Sequence, residues 1–289
     1  MDDWDDFRLI LAIARYGTLR SAASELGLTH TTVSRRLAAL QARRGQVFDK
    51  VPGGYAPSPL GKALIEVAQE MEELSLKGER FERASNPDLA GAIRLSLPEA
   101  IAQYLLLEDL VEFSQTHAAI DLQIETSSRF ADLDRCEADV VVRGAKDPPG
   151  HLVGRRLFPN CVTYHGQRDY LASTPPEKLR WIAPSPEART PGWLEKSPYP
   201  NAPIVLSLDD VTARHRALVT GLGLSRGACF MADPEPDLVR LPGADPEPLQ
   251  DIWVLTHPDL RDTPRIRALM EHIIQAMMRK KDLVTGALG

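Results

Sequence analysis

Between Glu25 and Asp49 the sequence holds no acidic residue, although the whole chain carries a formal charge of −6. On charge alone, such a window is either a surface that faces phosphate or a solvated basic helix face. Cysteine is scarce as well. Cys136, Cys161 and Cys229 are odd in number, far apart and in no C-x-x-C arrangement. That excludes a disulfide framework and a thiolate metal site, and predicts buried, reduced thiols. No apolar run approaches the ~18 residues that span a bilayer, so a soluble protein without membrane contact is expected. The stretch "MDDWDDFRLILAIARYG" lacks the basic start, continuous apolar centre and small-residue cleavage site of a secretory signal, which points to the cytoplasm. The seven histidines (His30, His117, His151, His165, His215, His257 and His272) show no metal-ligand spacing, and no P-loop occurs. Neither a metal nor a cofactor is expected.

What is present divides the chain. At 289 residues it is long for one core and comfortable for two or three. Residues 1–65 carry nine basic against six acidic side chains, a balance of +3, which leaves −9 for the rest. Four arginines (Arg35, Arg36, Arg43 and Arg44) fall inside the acid-free window. Trp4, Phe7, Ile10, Leu11 and Ala14 lie at helical spacing and predict a first helix over residues 3–15. Gly17 ends it, Thr18 can cap a second short helix, and Ala22, Ala23 and Leu26 form its small inner face. Gly27 turns the chain, and Thr29 can cap a third helix in which Val33, Leu37 and Leu40 face inward. His30, Thr31, Thr32, Ser34, Arg35 and Arg36 are then left toward solvent or a partner. This is a helix-turn-helix pattern, which suits DNA because a helix fits the major groove and arginine grips guanine through two hydrogen bonds.

The segment "GTLRSAASELGLTHTTVSRRLAALQ", followed by a basic hairpin and "SPLGKALIEVA", resembles the N-terminal region of LysR-type transcriptional regulators. The likeness covers roughly residues 4 to 70: paired alanines, the Leu-Gly-Leu turn, Val33-Ser34 on the third helix, and Phe48 followed by a basic residue. Gln41 stands where that family usually has glutamate, Lys50 replaces the usual wing arginine, and Ser58-Pro59 replaces a threonine-led helix start. "QVFDKVPGGYAP" reads as a two-stranded wing around Gly53-Gly54, with Tyr55 in packing. On the third helix Ser34 and Arg35, with Thr31 and Thr32, are the candidates for base or backbone contact. Arg36 and Lys50 are assigned to phosphate, and Arg20 and His30 join the same DNA surface.

Ser58 can cap and Pro59 can open a further helix, in which Leu60, Leu64, Val67, Met71, Leu74, Gly78 and Phe81 alternate by four and three. Such a heptad seam, about 37 Å long at 1.5 Å per residue, is expected to pair with its own copy as a homodimer or within a homotetramer. "SNPDLAG", residues 85–91, reads as a turn-rich hinge. Beyond it, "AIRLSL", a helix over residues 99–115, "IDLQIET", a short helix over 130–136 and "ADVVVRG" give a βαβαβ unit. A second unit follows: "CVTYHG", a proline-rich stretch, the strand "PIVLSL", the helix "DDVTARHRALVTGLG" and "SRGACFMA" as a strand. "DIWVLTHPD" and a helix from Pro264 to Met278 return the chain to the first unit.

The fold class expected is therefore α/β with an N-terminal all-α winged helix-turn-helix. By resemblance, the rest is the two-lobed periplasmic-binding-protein-like effector domain of LysR-type regulators. The boundaries are residues 1–57 for the head, 58–84 for the linker helix, 85–90 for the hinge and 91–289 for the body. Lobe I takes residues 91–159 and 255–289, and lobe II residues 160–254. Ligands of open α/β sheets bind beyond the carboxyl ends of strands. That rule selects Pro98, Glu99, Ala100, Ser127, Ser128, Arg129 and Arg143 from lobe I, and Thr163 and Asp209 from lobe II. Arg143 suits a carboxylate, whereas Glu99 repels one.

Gly223-Leu224-Ser225-Arg226-Gly227 matches the G-x-S-x-G elbow of hydrolases, but a helix precedes it and the apolar "ACFM" reads as a strand after it, so no enzyme is expected. The reading is a regulator that binds double-stranded DNA and is controlled by a small-molecule effector between two lobes. Two alternatives stay open: a small-molecule-binding protein or enzyme with a helical assembly head, and a DNA-binding regulator whose cleft is filled by its own side chains.

Overall fold

The computed structural model describes residues 4–85, 87–184 and 192–288, so residue 86 of the hinge and residues 185–191 of the proline-rich stretch lie outside it. Contacts divide the chain into two compact units, residues 1–80 and 81–289.

The first unit is built from local signals. Helices α1 (Trp4–Tyr16), α2 (Leu19–Glu25) and α3 (His30–Arg44) are followed by the hairpin β1 (Phe48–Val51) and β2 (Gly54–Pro57), and by the long α4 (Pro59–Ala84). The Thr18 hydroxyl accepts from Ser21 N and that of Thr29 from Thr32 N, so both expected caps form. Ser58 Oγ accepts from Gly61 N while donating to Gln46 O at 2.6 Å, which fixes the start of α4 against the wing. Ile10, Ile13, Ala22, Val33, Leu37 and Leu40 meet in one core with Phe48 and Ala68. At Gly54 a Cβ would lie 2.2 Å from Gly17 O, so only glycine lets the wing press on the α1–α2 turn. Tyr55 packs on that core, as expected.

The seam on α4 divides. Leu64 and Met71 turn onto the head's own core, whereas Leu60, Val67, Leu74 and Phe81 stay open to water at 39%, 44%, 69% and 54% exposure. The expected heptad is thus shared between an inward and an outward face.

The second unit is one mixed sheet with helices on its faces. Its elements are β3 (Gly91–Leu97), α5 (Glu99–Ile101), α6 (Leu107–Thr116), β4 (Ile120–Thr126), β5 (Val140–Ala145), β6 (Val153–Gln167), α7 (Arg168–Ser173), β7 (Trp181–Ala183), β8 (Ile204–Ser207), α8 (Val211–Val219), β9 (Leu224–Ala228), α9 (Cys229–Ala232), β10 (Leu238–Arg240), β11 (Glu247–Thr256), α10 (Pro264–Arg279) and α11 (Lys281–Val284). The order β4-β3-β5-β11-β6-β9-β7-β8, with β10 beside β6, sets two parallel halves, β4-β3-β5 and β9-β7-β8, about a central antiparallel pair. The 15-residue β6 and 10-residue β11 make that pair and carry the chain between the halves.

Three expectations change. Residues 130–136 form turns rather than a helix, with Cys136 at φ 56°. "SRGACFMA" is strand only to Ala228, and Cys229–Ala232 is a helical turn whose Phe230 and Met231 enter the core of the first half. The helix expected over 99–115 runs as α5 and α6 with a π segment, Ala102–Leu106, between them. Such a segment frees carbonyls, and here Lys280 Nζ donates to Leu105 O.

Two buried carboxylates tie the body together. Asp109 is held by Arg279 at 2.6 Å and Lys280 at 2.5 Å, and Asp233 by Arg240 at 2.7 Å and His165 at 3.0 Å. Burial alone would raise both carboxyls, yet these cationic and N–H donors hold each below the usual carboxylate range. A depressed folded value means the stabilisation is present above the unfolded carboxyl value near ~4 and is lost as pH falls through the folded value. Urea melts taken at falling pH are therefore expected to lose stability below about pH 4. Asp109→Asn and Asp233→Asn each flatten that acid limb, and an unchanged limb in both variants would contradict the assignment.

Candidate nucleic-acid interface and ligand cleft

On α3 the structure places His30, Thr31, Arg35 and Arg36 in solvent, with Thr32 and Ser34 half-buried. The hydroxyls of Thr31 and Thr32 lie 3.3 and 2.8 Å from Thr29 Oγ1, so the helix begins in a cluster of hydroxyls. Arg20 on α2 and Lys50 on β1 are exposed, and Lys50 pairs across the wing with Tyr55.

The acids missing from α3 come from α1. Asp5 stands 3.7 Å from Arg36, and Asp6 accepts from Arg43 at 2.5 Å. Arg36 thus has one exposed carboxylate beside it, whereas Arg35 has no ion pair among the described residues. Gln41 explains one departure from the family pattern: its Oε1 accepts from Val47 N at 3.2 Å and Phe48 N at 2.9 Å, so an uncharged amide clamps the wing to α3.

In the body, two cavities lie between the parallel halves. One, of about 340 Å³, is lined by Pro98, Glu99, Ala100, Ser127, Ser128 and Asp209 among the expected residues, with Thr126, Asp210, Val211 and Thr212 beside them. The strand-end rule brings these six together. The second, of about 350 Å³, lies against the crossing strands and is lined by Asn160, Trp193, Arg214, Arg226 and Gln250 with apolar neighbours. Side chains of the described residues therefore leave the cleft open. Sequence reasoning missed this second group because its members come from five separate segments. The one signal was Arg226, inside a motif inspected only for its serine.

Three expected residues lie elsewhere. Arg143 is 3% exposed, and its guanidinium donates to Val142 O, Ser96 Oγ and Arg129 O, so the carboxylate role does not fit. Its register neighbours explain this. Val141 pairs with Ser96, and residues 141 and 143 share the sheet face covered by the turns after β4 rather than the cleft. Desolvation lowers Arg143 to about 10. Thr163 is buried and donates to Ala244 O, and Arg129 pairs with Glu137 at 2.9 Å on the surface.

Ser225 of the elbow motif is buried at 2% inside β9, which removes a nucleophile. All three cysteines are buried; burial raises the Cys161 thiol and pushes Cys229 up to about 12. Asp109, Glu112 and His272 approach within 4.8 Å of one another. Asp109 is already held by two cations, and His272 Nε2 lies 2.7 Å from Asp109 O, so the cluster is a structural ion pair. Among the described residues no helix is long and apolar enough to cross a membrane.

A winged helix-turn-helix joined in one chain to a two-lobed α/β body with an open cleft defines a DNA-binding regulator with a ligand-sensing domain. Family models for the "bacterial regulatory helix-turn-helix protein, lysR family" and the "LysR substrate binding domain" match residues 4–62 and 87–278, and the chain belongs to this LysR family of transcriptional regulators. It is a regulator rather than an enzyme. Among its relatives, the "Mau operon transcriptional activator" of Paracoccus denitrificans is 29% identical over 277 residues, 92% of this chain and 93% of that protein. The transcriptional activator AmpR of Rhodobacter capsulatus is 24% identical over 226 residues, 75% of this chain and 77% of that one. The fold is shared with CrgA, a LysR-type regulator from Neisseria meningitidis, at a TM-score of 0.57 and 15% identity over 95% of this chain and 99% of that chain. It is shared too with the Vibrio cholerae virulence activator AphB, at a TM-score of 0.55 and 15% identity over 95% and 99%.

Proposed function

We propose that this regulator works in the cytoplasm as a homodimer or homotetramer, laying α3 of each head in a major groove and sensing a small effector in the cleft between its lobes. The boundaries that go with this reading are residues 1–57 for the head, 58–84 for the linker, 85–90 for the hinge and 91–289 for the body. Ser34, Arg35, Thr31, Thr32 and His30 face bases or nearby backbone, while Lys50 on the wing, Arg20 and Arg36 meet phosphate. The observation that carries the reading is the exposed Arg35, without an ion pair among the described residues, beside Ser34 on a helix that bears no acid. Water-exposed Leu60, Val67 and Leu74 support pairing of two copies along α4. Pro98 and Ala100, shared by two adjoining open cavities, with Ser127, Ser128 and Asp209 beside them, support the cleft as the effector site.

Arg35→Ala and Lys50→Ala test the division of labour. Arg35→Ala is expected to lose about 1–3 kcal/mol on the preferred operator and to relax preference at one base pair. Lys50→Ala weakens all duplexes alike and reduces the salt slope by about one ion. Binding isotherms against genome-selected and random duplexes over a salt series give both quantities. Equal losses by both variants on both duplexes would refute the assignment.

A further inference from the structure

We propose that the effector is a small monoanion with an apolar body, its charged group held by Arg226 and Arg214 in the cavity against the crossing strands. This rests on the inter-lobe cleft being the effector site and goes on to name the chemistry that the site selects.

Charge is sorted between the two cavities. They share Pro98, Ala100 and Val211, so they adjoin. Glu99, Asp209 and Asp210 line the first, and among the described residues no basic side chain does. Arg214 and Arg226 line the second, and among the described residues no carboxylate does. An anion entering the cleft is repelled by one cavity and attracted by the other. Apolar surface from Trp193, Phe230 and Leu249 in the second cavity suits a hydrocarbon body, the usual composition of a small-molecule site with a few convergent polar groups.

The polar groups there are incompletely used. Pairing of Val162 with Ala228 and of Asn160 with Gln250 sets Asn160, Arg226 and Gln250 on one face of β6, β9 and β11. Arg226 Nη2 reaches Glu247 at 3.2 Å, but its Nε is buried without a partner. Asn160 Oδ1 is also buried without a partner. Buried donors and acceptors in folded proteins are nearly always matched, so an unmatched donor and acceptor on one cavity wall suit a ligand that pairs with both. A carboxylate or phosphate accepts from Arg226, and a hydroxyl or N–H on the same ligand completes Asn160. Arg214 is fixed beside them because its Nη1 donates to Leu208 O at 2.6 Å and Asp209 O at 3.4 Å. Gln250 lies across the floor only because residue 144 is glycine: a Cβ there would stand 2.2 Å from Gln250 Nε2. Since Asn160 and Gln250 belong to the strands that cross between the halves, an occupant touches both walls and the crossing itself.

The test uses the full chain and a matched triplet of probes: indole-3-acetate, indole-3-acetamide and tryptamine, which share a body and differ in charge. Calorimetric titration is expected to show the acid binding on the order of tenfold or more tighter than the amide or the amine. Arg226→Gln and Arg214→Gln each remove that preference and leave the amide unchanged, and Arg226→Lys restores part of it. Leu249→Trp, introduced from a half-exposed position, fills the cavity and blocks the acid. Equal or tighter binding of the amide or amine, no binding by any of the three, or an acid affinity unchanged in both glutamine variants would overturn the proposal. A neutral or cationic probe that binds wild type but not Leu249→Trp overturns the ligand class while leaving the cleft as the effector site. If no acid, amide or amine in a wider matched series distinguishes wild type from Leu249→Trp, the cleft reading fails as well.

Discussion

Replacing Val67 and Leu74 together by glutamate is expected to yield a folded monomer whose specific DNA affinity is lower by on the order of 10²–10⁴. In the single chain these side chains are 44% and 69% exposed, so a charge there meets water and leaves the head intact. Leu64, Met71 and the buried Ala68, which hold α4 to the head core, are untouched, and so is the Arg15–Glu72 pair at 2.5 Å. What changes is the apolar strip left over once the head has taken its share of the helix. Two copies meeting along it would bury that strip and place two recognition helices on one duplex. The second head then binds intramolecularly, and its contribution disappears when the pair is broken. Sedimentation gives the mass, circular dichroism the fold, and titration of a full operator against a single half-site the coupling. A double variant that remains dimeric, or that binds the full operator as wild type does, would show that the heads are paired through another surface.

The head was legible because its signals are short-range. Thr18, Thr29 and Ser58 each cap the helix expected of them, and Phe7, Ile10 and Leu11 of the expected α1 stripe are buried, together with Leu9, Ala12 and Ile13 outside it. The body was legible where strands are uniformly apolar, as in Val140–Val142, and less so where context decides. "ACFM" is four apolar residues, too short a run to separate strand from helix by periodicity, and it turns helical to send Phe230 and Met231 into the first core. Only the second half of β6 stood out, because Gly154-Arg155-Arg156 and Pro159 obscure a strand that crosses from one half to the other. Arg143 was misplaced by a rule that counts strand ends but not sheet faces. The cavity of Asn160, Arg214, Arg226 and Gln250 had no local signal beyond Arg226 in its glycine motif, since it exists only once β6, α8, β9 and β11 are side by side.

Asp139→Ala is expected to cost about 3–5 kcal/mol in the unfolding of the body, a large share of the stability of any domain. The Asp139 side chain is 5% exposed, and its carboxylate serves several groups at once. Oδ1 accepts from Arg83 at 3.0 Å and stands 3.7 Å from Arg94 Nη2, while Oδ2 accepts from Arg94 N at 2.8 Å. Behind it, Arg265 is buried with Nη2 donating to Arg83 O at 2.8 Å and Nε to Ala92 O at 3.2 Å, and desolvation lowers its pKa. Removing the one carboxylate leaves three guanidinium groups close together with no counter-charge, which costs more than the pair itself contributed. Asp139→Asn keeps the acceptor for Arg94 N and the shape of the site, and is expected to lose less than half as much, as read from urea midpoints at constant m-value. The functional consequence follows from position: Arg83 lies in the last turn of α4, and Asp139 immediately precedes β5. With the clamp gone, an effector still binds the cleft of a variant kept folded at low temperature, but it no longer changes the affinity of the heads for DNA. Retained coupling in Asp139→Asn and its loss in Asp139→Ala would assign the signal to this junction, and full coupling in both would place it elsewhere.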